Sequence, residues 1–167
     1  MKISKLQTVN TQYNPLDLIE DIVISNNWEY ERDSSDNIHV EVGGEYCDYQ
    51  LSFGINDEYN LLYISCVLDI NIPDHRLKEM YSLIASLNEK LLIGHFEIWT
   101  DESWPVLKQS FPMPNNQSLC RNQLEQASLL ALKECEKFYP AFQLYAWENK
   151  DVSSTLQHLM LETKGEV

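Results

Sequence analysis

The chain has 167 residues, 44% of them apolar, and its 12 basic and 26 acidic residues leave a net charge of −14. That length fits one domain, spanning 1–167, with a core that needs neither disulfide nor metal. No apolar run approaches the roughly 18 residues of a membrane span, and the polar start Met1-Lys2-Ile3-Ser4-Lys5-Leu6 argues against a secretory signal. Lysines and arginines are scattered singly, which weighs against a nucleic-acid partner and against anionic membranes. A cytoplasmic protein is expected. Cys47, Cys66, Cys120 and Cys135 form no C-x-x-C pair and match no zinc spacing, so free thiols in a reducing compartment are expected.

Residues 1–12 have weak periodicity and are expected to be extended or frayed. Asn14-Pro15 reads as an N-cap followed by proline at the first helical position. Leu16, Ile19, Ile22 and Val23 give that helix one apolar stripe, and it should end near Asn26-Asn27. Strands follow. Trp28 to Glu31 alternates, as do Ile38, Val40 and Val42; after Gly43-Gly44 the alternation resumes with Cys47, Tyr49, Leu51 and Phe53 on one side. Two alternating runs around Gly-Gly predict a hairpin. Asn56-Asp57-Glu58 is a turn, and the apolar run Leu61–Leu68 predicts a central strand covered on both faces.

Pro73-Asp74 opens a second helix with the stripe Leu77, Met80, Tyr81, Ile84, Leu87 and Leu91, and Gly94 suits a left-handed residue beyond its end. His95–Trp99 reads as a strand. Trp104–Phe111 reads as an edge strand, because Pro105 and Pro112 withhold N–H donors. A Pro/Asn loop at 112–117 leads to a third helix over Ser118–Tyr139, with Cys120, Leu124, Ala127, Ala131 and Phe138 on one face and Leu129 and Leu132 away from it. Pro140 should end or kink it. Around Pro140 the uncharged, aromatic Tyr139–Gln143 segment and Trp147 have the composition of a buried joint or a partner surface. Beyond Asp151, Val152, Leu156, Leu159 and Met160 predict a terminal amphipathic helix over 151–163. The order is helix, four strands, helix, two strands, helix, terminal helix. It predicts an α+β fold: an antiparallel sheet of five to six strands with helices packed on one face.

Chemistry is sparse. Glu20 and Asp21 are adjacent on a helix and point apart. Asp69, Asp74 and His75 lie close in sequence, but helix-start acids are accounted for by the dipole. His39, His75, His95 and His158 are dispersed, and Cys66 with His95 reads better as packing than as a catalytic pair. No glycine-rich phosphate loop occurs. No catalytic, metal-binding or cofactor-binding residue is assigned. The candidate interaction residues are Leu129, Leu132, Phe142, Trp147, Leu156 and Met160, for a protein partner or a second copy in a homodimer. The alternative is a small-molecule pocket between sheet and helices using His95, Tyr49 and Trp99.

Leu87-Asn88, Gly94-His95-Phe96-Glu97, the run Cys135 to Gln143, Trp147 and the closing Glu162 to Val167 together resemble the YbjN family of bacterial sensory transduction regulators. The resemblance spans most of the chain, and Phe138-Tyr139-Pro140-Ala141-Phe142-Gln143 is its most specific part. It implies a fold like that of type III secretion chaperones, and a small, acidic, cytoplasmic, often dimeric protein without established enzymatic activity. Departures fall at Lys108-Gln109, where relatives tend to carry arginine, and at Glu148-Asn149, where they tend to carry glycine.

Overall fold

The computed structural model describes residues 14–113 and 120–147. Helix α1 spans Pro15–Ser25, α2 Asp74–Asn88 and α3 Arg121–Trp147; the strands are β1 Glu29–Arg32, β2 Ile38–Gly43, β3 Asp48–Asn56, β4 Leu61–Val67, β5 His95–Trp99 and β6 Trp104–Pro112. The strands form one antiparallel sheet in the order β1-β2-β3-β4-β6-β5. Expectations for residues 1–12 and for a helix over 151–163, including Leu156 and Met160, lie outside the described residues.

Side-chain alternation assigns the two faces. Ile38, Leu51, Phe53, Ile64, Cys66, Leu107 and Phe96 share the face covered by helices, and all are buried. Helix α1 lies over β1–β3 and against α3, α2 lies over β5, and α3 crosses β4 and β6. The opposite face carries Glu29, Glu31, His39, Glu41, Gln50 and Lys108. Helix α1 starts where its sequence says it should: Asn14 Oδ1 accepts from the Leu16 N–H at 3.0 Å, ahead of Pro15.

Three elements depart from the sequence reading. Strand β6 is interior, between β4 and β5, and not an edge. Its prolines sit near its ends, where few ladder donors are needed, and the Pro105 carbonyl still accepts from the Leu68 N–H at 3.0 Å. In α2, Tyr81 is half exposed, while Leu83 and Arg76 are buried. Helix α3 runs through Pro140 to Trp147 without ending. A mid-helix proline costs about 3 kcal/mol. Burial of Phe138, Tyr139, Ala141, Phe142, Tyr145 and Ala146 on both sides of it offsets that cost.

The far end of α3 is tied down by Arg76. Its Nε and Nη2 donate to the Tyr145 carbonyl at 3.1 and 2.9 Å, Nη1 meets Glu79 at 3.1 Å, and the guanidinium lies 4.2 Å from the Tyr145 ring centre. Carbonyls in a helix's last turn lack intrahelical donors, and a charged donor satisfies one here.

Cys66 and Cys135 are buried in the core, and Cys47 is half-buried. Burial foremost, with the neighbouring Cys66 thiol of β4, pushes the Cys135 thiol of α3 well above its ordinary range. Burial likewise raises the Cys47 thiol, and the Tyr139 phenol to about 12. Thiols held protonated are poor nucleophiles, so Cys47 and Cys135 act here as packing groups.

Candidate functional site

On the open face, the pairing of β2 with β3 sets His39 opposite Ser52. His39 Nδ1 lies 3.0 Å from Ser52 Oγ, and Nε2 lies 3.2 Å from Asp33 Oδ2. A serine, a histidine and an aspartate in series have the composition of a hydrolytic triad. Ser52 is in the middle of an interior strand, so its main chain is committed to the ladder. The string therefore works as a polar cross-strand link.

Asp33 in that string also accepts from the Asn37 N–H at 2.9 Å and the Ser35 N–H at 2.8 Å. The Asn37 main-chain bond foremost, then His39, holds its carboxyl at about 2. A carboxylate with a depressed pKa stabilises the fold above its unfolded pKa, and that contribution is lost as pH falls through the folded one. Comparing urea midpoints of wild type and Asp33→Asn from pH 5 to pH 2 should show a gap that is full above about pH 4 and closes towards pH 2.

Asp69 and His75 are both exposed, and among the described residues no group of three or more His, Cys, Asp or Glu side chains is placed to hold a metal. Register separates Cys66 from His95: Cys66 lies under the helices, and His95 pairs with Lys108 on the open face. The same register divides the proposed sensor residues, with Tyr49 under the helices and His95 and Trp99 on the other side.

The helix side holds a different feature. Leu124, Ala127 and Leu130 of α3 face Phe111 of β6 and Ile93 of the α2–β5 connection across a groove of about 500 Å³. Leu92, beside Ile93, is fully exposed. Gln123 and Gln126 border the groove and Gln109 lines it, so none of its lining residues is charged. Gln109 is only 5% exposed, and its amide nitrogen has no hydrogen-bond partner. A buried, unpaired donor costs about 1–3 kcal/mol, which makes it an exception to account for.

The residues singled out from sequence scatter. Phe142 is fully buried, with its ring 5.1 Å from Phe96, and Leu132 is buried as well; both are core side chains. Their burial follows from α3 packing on sheet and helices at once. Leu129 and Trp147 are exposed, at 39% and 62%. The groove itself was not visible in the helix pattern. One signal was available: in Leu107-Lys108-Gln109-Ser110-Phe111 the alternation turns a glutamine inward.

Several of the residues that suggested a family pack together where α2, β5 and α3 meet. Asn88 clips β5, with its Nδ2 donating to the Phe96 carbonyl at 3.1 Å and its Oδ1 accepting the Phe96 N–H at 2.7 Å. The Phe96 ring packs edge-on against Phe138 and Phe142. Gly94 holds φ +75°, and a side chain there would strike the Lys108 carbonyl. The family model YbjN, described as "Putative bacterial sensory transduction regulator", matches residues 15–144, from α1 almost to the end of α3.

The chain belongs to the YbjN family.

The crystal structure of YbjN from E. coli, described as "a putative transcription regulator", superposes with a TM-score of 0.53 at 10% identity, over 72% of this chain and 85% of that one. At that identity the likeness shows a shared fold. A chain of the HopA1-SchA chaperone-effector complex aligns at 16% identity over 73% of this chain and 89% of its own, with a TM-score of 0.49, too low to bear on function. No curated protein matches the chain. Among the described residues, no helix is long and apolar enough to cross a membrane.

Proposed function

We propose that this YbjN-family chain is a non-enzymatic interaction module, a regulator or chaperone-like adaptor that holds an apolar segment of another protein. The groove beside α3 carries this reading. Its walls are largely apolar, its border is uncharged, and exposed Ile93 is part of its lining, with exposed Leu92 next to it in sequence. Monomeric surfaces seldom leave such patches uncovered unless something binds there. The family description as a regulator and the commitment of the Ser52 main chain to the sheet ladder both favour binding over catalysis.

The test is paired capture from the host lysate with wild type and with Leu130→Asp, which sets a charge in the groove wall at a half-buried position. The captured protein is identified by mass spectrometry, purified, and titrated back by calorimetry. The expected result is direct, stoichiometric binding to wild type and a loss of more than about thirtyfold with Leu130→Asp, the scale at which central interface residues act. Equal binding to both proteins would overturn the assignment of the groove.

A further inference from the structure

Resting on that reading, we infer that the groove selects an uncharged, leucine-rich stretch with basic flanks, and that Gln109 Nε2 donates to a main-chain carbonyl of that stretch. Three observations converge on this chemistry. The groove's lining is apolar or amide, with no charged side chain, so the segment inside must itself be uncharged. The amide of Gln109 is buried, unpaired and part of the lining, so it presents one donor to an incoming acceptor. A main-chain carbonyl is the acceptor that every peptide carries regardless of side chain. The chain as a whole has 26 acidic residues against 12 basic ones, a net negative field that favours lysines or arginines on either side of the bound stretch.

Charge also ranks the occupants. A second copy would bring its own −14 to the interface, and a segment of this chain would come from the same acidic composition. A partner with basic flanks meets attraction where those meet repulsion.

The probe is a fluorescein-labelled peptide, Lys-Lys-Ala-Leu-Ala-Leu-Leu-Ala-Ala-Lys-Lys, with a counterpart carrying glutamates in place of the lysines. Fluorescence anisotropy with the full chain at low salt should show the lysine peptide binding at least about tenfold more tightly than the glutamate one. Leu130→Asp separates the groove from bulk charge. It adds a negative charge, so plain electrostatic adhesion would strengthen, whereas binding in the groove should be lost. Gln109→Leu reports on the hydrogen bond: affinity should fall by about three- to tenfold while the urea midpoint holds or rises, because an unpaired buried donor has been removed. Equal affinity for the two peptides, indifference to Gln109→Leu, or tighter binding by Leu130→Asp would each overturn the inference. So would a dimer in light scattering that Leu130→Asp turns into a monomer, since a second copy would then occupy the groove. If a captured partner depends on Leu130 but ignores flank charge and Gln109, the inference falls and the interaction module stands.

Discussion

Phe142→Ala is expected to lower the unfolding free energy by about 3–5 kcal/mol, the usual range for deleting a buried phenylalanine. Phe142 is fully buried, and its ring centre lies 5.1 Å from that of Phe96, which also packs on Phe138 at 5.8 Å. These rings come from α3 and β5, so the cavity would open where the long helix meets the outer strand. The site has little means of collapsing, because Pro140 and the Arg76 clasp on Tyr145 fix α3 on either side of it. Urea unfolding followed by far-UV circular dichroism measures the loss. A cost under about 1 kcal/mol would mean that the three-ring contact does not anchor α3.

The second large effect is expected at Asn88. Its side-chain amide makes both an accepting and a donating bond to the Phe96 main chain, at 2.7 and 3.1 Å. Asn88→Ala removes both partners and leaves an N–H and a carbonyl unpaired in a partly buried place. At about 1–3 kcal/mol for each orphaned group, part of it recovered by water, the expected cost is about 2–4 kcal/mol. Asn88→Asp keeps the shape and the acceptor but turns the donor into a second acceptor facing the Phe96 carbonyl. It should be destabilised to a similar degree near neutral pH and partly restored on acidification, as the carboxyl regains a proton to donate. Unfolding midpoints of the three proteins at pH 7 and pH 4.5 test this; an Asn88→Asp protein that weakens on acidification relative to wild type would contradict it.

Much of the architecture was legible because it is written locally. Alternation in Ile38–Val42 and Tyr49–Phe53 and the stripe Leu16, Ile19, Ile22, Val23 are properties of neighbours in sequence, and the elements form there. Two of the three departures, in β6 and α3, involve proline. Pro105 and Pro112 suggest an edge strand, and Pro140 a helix end or kink, because each removes a local donor. Tertiary packing outweighed both: β6 is flanked by β4 and β5, and α3 is buried on either side of Pro140. The groove draws on α3, β6 and the α2–β5 connection, whose distances in sequence hide their meeting. The Ser52–His39–Asp33 string likewise exists only through the β2–β3 register. Among the residues behind the family resemblance, Asn88, Gly94, Phe96, Phe138 and Phe142 make contacts that hold β5 and α3 together.

The Asn88 clip has a further consequence, for solubility. Strand β5 is one border of the sheet, and its outward main-chain groups at Phe96 are a natural template for recruiting another chain by backbone pairing. With those groups satisfied by a side chain of the same molecule, that template is withdrawn. The other border, β1, is four residues long and carries Glu29, Glu31 and Arg32. Short, charged borders resist the stacking that leads to fibrils. The protein can therefore leave a greasy slot open on one flank without inviting its own sheets to zip together.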